Sequence, residues 1–169
     1  PIWNGRNRLE QREITGRNLL IIGYGRAGRH LARMAAGFSM VVRAHDPYLE
    51  RQGWPAGDVA CAPDLAEALA WADCISVHVP KGDRPLLGED ELRHVKPGVI
   101  IANTARGGVI DEAALARALA DGRVGAAGID VFEEEPPTGA SPLAAHDNAL
   151  LSPHIAGLTE EAAMRMALA

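Results

Sequence analysis

A chain of 169 residues, 47 % hydrophobic and 23 % charged, is long enough for one globular domain with a real core. Its net charge of -5, the lack of any basic run and an aromatic content of 4 % argue against a nucleic-acid surface, which needs clustered cations and stacking platforms. No apolar stretch approaches a membrane span, and two cysteines, Cys61 and Cys74, are too few for a disulfide framework, which points to a reducing compartment, the cytoplasm.

In chain order, residues 1–16 are polar and irregular around an isolated Trp3 and read as a connecting segment. Asn18–Gly23 is a short continuous apolar run, the mark of a strand buried on both faces. A helix is expected from Arg26 to Ala36, ended by Gly37, then a strand over Met40–His45 stopped by Asp46-Pro47. Glu50 to Pro63 reads as loop with one short strand near Val59. Asp64 is placed to cap a helix over Leu65–Trp71, and Cys74–Val79 is the next strand, its thiol expected to be buried. A short helix over Glu89–Val95 and a turn at Lys96-Pro97-Gly98 lead to a strand at Val99–Ala102. Asp111 caps a helix over Glu112–Ala120, ended by Asp121-Gly122. Strands at Val124–Val131 and Ala149–Leu151 follow, and the chain is helical from Glu160 onward. Strands alternating with helices make a doubly wound α/β domain with a mostly parallel, Rossmann-like sheet. Beginning at Pro1 and stopping at Ala169 inside a helical pattern, the chain is expected to be a piece of a longer protein.

Gly23-Tyr24-Gly25-Arg26-Ala27-Gly28 follows the first strand and opens the first helix. In that setting the first glycine permits the tight turn, the second lets a pyrophosphate approach the backbone, and the third lets helix and strand pack closely. The helix N-terminus adds free N–H groups and partial positive charge, and Arg26 can add a side-chain contact. Asp46, 18 positions beyond Gly28, ends the second strand where a carboxylate accepts hydrogen bonds from the adenosine ribose. It would repel a 2′-phosphate, which favours NAD over NADP; Arg51 nearby keeps that choice open.

Three further residues suit reduction of a 2-oxo acid by a nicotinamide. Arg106, just past the strand at 99–102 and followed by Gly107-Gly108, can hold the substrate carboxylate with its planar fork and polarise the carbonyl. His154, between Pro153 and a Gly157 that leaves room, can protonate the developing alkoxide and act as base in reverse. Glu135 can orient that imidazole and stabilise its protonated form. Alone, each has a plain structural explanation: a surface ion pair, a satisfied loop histidine, a solvated acidic loop at Glu133–Glu135. Asp130, at a strand end, is placed to bond the nicotinamide carboxamide or to cap a turn. No zinc-type spacing of Cys and His occurs, nor a phosphate-binding P-loop or a serine-hydrolase elbow, so no metal is expected.

Together these blocks resemble the D-isomer-specific 2-hydroxyacid dehydrogenases. The likeness runs through Glu13–Gly16, Gly23–Gly28, His45–Tyr48, His78-Val79-Pro80, Lys96–Gly98, Asn103–Glu112, Gly128–Pro136 and Ser152–Ala162. It implies that Arg106 binds substrate, His154 is the acid/base and Glu135 its partner. It implies that Arg26, Ala27, Asp46, Thr104, Ala105 and Asp130 line the NAD site, with His78, Val79 and Pro80 flanking the adenosine half and Gly157 at the cofactor edge. It implies a small 2-oxo or 2-hydroxy acid as substrate, a homodimer, and a nucleotide-binding domain inserted into a discontinuous substrate domain absent from this chain. Residues 1–16 and 158–169 would then be the truncated crossovers. The segment Lys81–Gly88 is shorter than the family's threonine-bearing loop, and formate dehydrogenases of the same fold carry glutamine where Glu135 stands. Two other readings remain open here: an NAD(H)-sensing module resembling the C-terminal-binding-protein corepressors, and an amino-acid dehydrogenase with a lysine base. Lys81 and Lys96 are the only lysines, and neither is well placed for that base.

Overall fold

The structure is a computed structural model that describes residues 12–57 and 59–168. Of the expected connecting segment, residues 1–11 with Trp3 lie outside the described residues, and 12–16 are exposed and end in a turn. Seven strands, β1 (Asn18–Ile22), β2 (Val41–His45), β3 (Ala60–Cys61), β4 (Cys74–Val77), β5 (Val99–Asn103), β6 (Val124–Ile129) and β7 (Ala149–Leu151), form one sheet in the order β3-β2-β1-β4-β5-β6-β7. Every neighbouring pair is parallel. The order reverses direction between β1 and β4, and in such sheets the crevice at that switch point is where ligands bind.

The central strands are short and apolar, and helices cover them. Leu20, Ile22, Ile75, Val77 and Ile101 pack against α3 (Leu65–Trp71) and α5 (Glu112–Ala120) through Ala68, Leu69, Leu115 and Leu119. On the other face Leu19, Ile21 and Ala44 meet α1 (Arg26–Gly37) through its buried stripe Gly28, Ala32 and Ala35. Small residues at that helical spacing bring α1 close to β1. The expected caps form: Asp64 accepts from the Glu67 N–H at 2.9 Å and Asp111 from the Ala114 N–H at 2.8 Å, each worth about 1 kcal/mol.

Several expectations need correction. The Asp46-Pro47 pair does not merely stop β2; it starts α2 (Pro47–Gln52), with Asp46 as N-cap and proline in the first turn. A 3-10 helix over Pro142–Ala145 begins the same way behind Ser141. The helix expected to Val95 is only α4 (Glu89–Leu92): the Arg93 N–H is shared between Glu89 O and Asp90 O, and the His94 N–H closes a tight turn onto Glu91 O. The strands expected to Val79 and Val131 end at Val77 and Ile129, where the chain leaves the sheet edge. Gly37 is the last residue of α1, and Ser39 takes the left-handed position beyond it (φ 57°). Cys74 is half-buried rather than buried, since among the described residues no helix covers β5 and β7 on the sheet face beside α1: Ile100 is 50 % and Leu150 78 % exposed. The last helix is α6 (Glu160–Ala167), capped by Thr159.

Candidate active site

All the singled-out residues follow the carboxyl ends of parallel strands, so one edge of the sheet gathers them. After β1, Gly23 (φ 93°) turns under the β4 loop; a Cβ there would lie 2.6 Å from the His78 carbonyl oxygen. A Cβ at Gly28 would collide with the Gly23 carbonyl. Gly25 differs: it sits at the N-terminus of α1 with no capping side chain, no acid stands in the first turn, and a Cβ there would meet no protein atom within 4 Å. That open cradle, with Arg26 and Ala27 exposed beside it, fits a phosphate group.

Asp46 secures this loop. Its Oδ2 accepts from the Tyr24 N–H at 2.9 Å, and its Oδ1 from Tyr48 and Leu49 at 3.2 and 3.1 Å. It borders a cleft of about 690 Å³ with Gly23, Gly25, Tyr48, His78, Val79, Pro80 and Arg84. His78 Nε2 lies 2.9 Å from Ser76 Oγ, and burial lowers the pKa of that imidazole.

After β5, Asn103 builds the next loop. It is 2 % exposed, accepts from the Ala105 N–H and donates to the Arg106 carbonyl, both at 3.0 Å. Thr104 and Arg106 are exposed at its tip. The Arg106 guanidinium donates to Ala105 O at 2.6 Å. A Cβ at Gly107 would collide with the Phe132 carbonyl, so this loop lies against the start of the Glu135 loop.

There Glu135 and His154 come together. Glu135 Oε2 lies 2.6 Å from His154 Nδ1, and Oε1 accepts from the Phe132 N–H at 2.7 Å. The hydrogen bond from His154, then that from Phe132, holds the Glu135 carboxyl below the usual range. A hollow of about 490 Å³ opens beside the pair, lined by Phe132, Pro136, Leu151 and Pro153 among others. His154 stands at φ 55°, a left-handed conformation uncommon outside glycine. Asp130 enforces it: its main-chain oxygen accepts from the His154 N–H at 2.7 Å, and its carboxylate accepts from Ser152 Oγ, Ile155 N and Ala156 N at 2.6–2.9 Å. Burial pushes the Asp130 carboxyl up, but those three hydrogen bonds outweigh it and hold it below the usual range. Gly157 is exposed just beyond.

The structure therefore joins Glu135 to His154 and sets Asp130 behind them, while Arg106 contacts its own loop rather than the pair. Asn103 and Ser152, not singled out from the sequence, hold the Arg106 and His154 loops. Asn directly after a strand is itself a turn signal; the Ser152–Asp130 contact exists only in three dimensions.

Residues 2–156 match the NAD binding domain of the D-isomer specific 2-hydroxyacid dehydrogenases. The chain belongs to this family. It is 42 % identical over 163 residues to the (S)-sulfolactate dehydrogenase of Chromohalobacter salexigens, covering 95 % of this chain and 53 % of the relative. It is 40 % identical over 164 residues to the hydroxypyruvate reductase of Thermotoga maritima, covering 95 % and 52 %. A glyoxylate reductase structure from Paecilomyes thermophila superposes with a TM-score of 0.83 at 35 % identity, over 99 % of this chain and 53 % of that one. The chain thus spans about half the length of these relatives. The matched part is the family's NAD-binding domain, so NAD is the cofactor of this domain. Among the described residues no helix is long and apolar enough to cross a membrane.

Two glycine substitutions in this NAD-binding domain should separate cofactor space from packing space. Gly25→Ala is expected to leave stability within about 0.5 kcal/mol and weaken NADH binding about tenfold or more. Gly28→Ala should cost about 1–3 kcal/mol of stability through overpacking. Urea unfolding and NADH fluorescence titration measure both; unchanged NADH affinity in Gly25→Ala would remove the cradle.

The Glu135–His154 pair predicts a pH signature. A carboxyl held low in the folded state adds stability that is present above its unfolded pKa and is lost as pH falls through the folded one. The stability advantage of wild type over Glu135→Gln should be full at neutral pH and close on acidification below about 4.3, the ordinary glutamate value. Urea midpoints measured across pH test this, and a gap that does not narrow in acid would contradict it.

Proposed function

We propose that the full-length protein is an NAD-dependent D-2-hydroxyacid dehydrogenase that interconverts a small 2-hydroxy acid and its 2-oxo acid. The observation that carries this reading is the 2.6 Å Glu135–His154 pair at the sheet edge, beyond the glycine loop that suits the cofactor. The cofactor, when bound, supplies or takes up the hydride at the carbonyl carbon. Gly25 and the first turn of α1 would hold its phosphates and Asp46 its adenosine ribose. Thr104, Ala105 and the free acceptor capacity of Asp130 would border the nicotinamide half.

With Glu135 ionised, and therefore acceptor-only, the proton between the pair sits on His154 Nδ1. The opposite nitrogen, Nε2, is left for the substrate. Protonated, it donates to the alkoxide oxygen; neutral, it takes the hydroxyl proton in the reverse reaction. Arg106 would turn its fork from Ala105 O to the substrate carboxylate, fixing the carbonyl for hydride approach. The second wall of the cleft would come from a substrate domain outside this chain, into which this domain is inserted through crossovers near 1–16 and 158–169. We place the protein in the cytoplasm as a homodimer, as the free cysteines and the family suggest.

The test is NADH oxidation by the full-length protein against glyoxylate, hydroxypyruvate, pyruvate, 2-oxoglutarate and phosphohydroxypyruvate. Turnover of one supports the reading and names the substrate class. Tight NADH binding with no turnover on any of them would replace it with an NAD(H)-sensing role.

A further inference from the structure

Lys81 has a position that the hydride-transfer reading leaves unused. It opens the short segment that leaves β4 after His78-Val79-Pro80 and runs beside the Arg106 loop. The Leu86 and Leu87 N–H groups donate to Val109 O at 2.8 and 3.1 Å, and the Asp111 N–H returns to Leu87 O at 3.0 Å. At the start of this segment the Lys81 side chain lies on Gly108, whose φ is 74°. The point where a Gly108 Cβ would stand is 2.8 Å from Lys81 Cε and 2.9 Å from Nζ. The ammonium is therefore docked on the backbone two residues after Arg106. Pro80, Gly82 and Arg84 line the adenosine cleft but Lys81 does not, so its side chain turns from the cofactor toward the Arg106 loop. Among the described residues no carboxylate lies within 4.0 Å of it, Asp83 included.

Two cations on adjoining loops, Lys81 after β4 and Arg106 after β5, repel each other, and an anion between them relieves that repulsion. Arg106 has the planar fork that suits a carboxylate; Lys81 offers a compact point charge that suits an anionic group of any geometry. We propose that Lys81 is a specificity-determining residue, which pairs with a second anionic group (carboxylate, sulfonate or phosphate) on the far end of the 2-oxo acid. This rests on the dehydrogenase reading and deepens it: the preferred substrates are dianionic or more highly charged.

The test compares 2-oxoglutarate with 2-oxopentanoate, equal in chain length and different in the terminal charge. Two ratios are measured on the full-length protein: kcat/KM, and affinity for the NADH complex read by NADH fluorescence. Wild type should favour 2-oxoglutarate in both. Lys81→Met should lower each preference about fivefold, the size expected for a partly exposed ion pair, and Lys81→Arg should retain most of it. A preference unchanged in Lys81→Met overturns the proposal. So does an equal loss on both acids with weakened NADH binding, which would put the ammonium on the cofactor phosphates. The binding ratio judges Lys81 even if neither acid turns over, in which case it is the dehydrogenase reading that fails. Failure of wild type to bind either acid overturns the Lys81 assignment as well.

Discussion

His154→Asn should lower kcat/KM by about 10²–10⁴-fold, the contribution of a well-placed general acid, while NADH affinity and the thermal midpoint stay near wild type. Asparagine is the informative replacement. The backbone at 154 is left-handed, at φ 55°, a conformation that Asn tolerates better than most residues. The main-chain hydrogen bond from residue 154 to Asp130 O does not depend on the side chain. What disappears is the titrating nitrogen and the contact to Glu135, so the loss should lie in the chemical step. Steady-state kinetics with 2-oxo acid and NADH, beside an NADH titration, measure the two quantities separately. Activity within about threefold of wild type would take the acid/base role away from His154.

Arg106→Ala should be comparably damaging, and Arg106→Lys should recover little of the loss. Two charge-assisted hydrogen bonds at about 1.5–3 kcal/mol each correspond to about 10²–10⁴-fold in kcat/KM when both go. Lysine keeps the charge but not the paired donors, so the carboxylate would no longer be fixed against rotation. Because Arg106 is exposed and bonds only its own loop, its removal should leave stability within about 0.5 kcal/mol. A large rise in KM for the 2-oxo acid with unchanged NADH affinity is the expected pattern. Intact activity toward every 2-oxo acid in Arg106→Ala would defeat the assignment, and with it the reading of the glycine-flanked loop as the carboxylate site.

The legible parts of this molecule were those whose signal is local. The spacing of Gly23, Gly25 and Gly28 between a strand and a helix, the caps at Asp64 and Asp111, and the apolar runs of β1 and β5 each depend on neighbours in sequence. The two unforeseen helices both open with a capping residue followed by proline, Asp46-Pro47 and Ser141-Pro142. At Asp46-Pro47 the proline reads as the end of a strand, and around Pro142 no element is expected, whereas in the first helical turn its missing N–H costs nothing. The site was legible as residue types and as the Glu135–His154 partnership, but not in the contacts that support it. The sequence placed Glu135 and His154 in separate loops, and only the parallel arrangement of β6 and β7 brings their side chains together. For Asp130 both a cofactor contact and a turn cap were open, and most of its hydrogen-bonding capacity goes into folding the His154 loop. Lys81 was dismissed as a base and stands instead against Gly108, a contact between loops that follow different strands.

The proposed acid hangs from an edge of the sheet. β7 is a three-residue edge strand, bound on one side only and 78 % exposed at Leu150, whereas the glycine loop grows from β1 at the centre. Local opening at a short, exposed edge needs far less free energy than global unfolding. Ageing and inactivation of such an enzyme therefore need not follow denaturation. Detachment of β7 would withdraw His154 while the cofactor cradle, and nearly all of the backbone spectrum, persisted. A stored sample would still bind NADH and look native by circular dichroism after its turnover had gone. Its shelf life would be set by the grip of Asp130 on one loop rather than by the melting temperature of the domain.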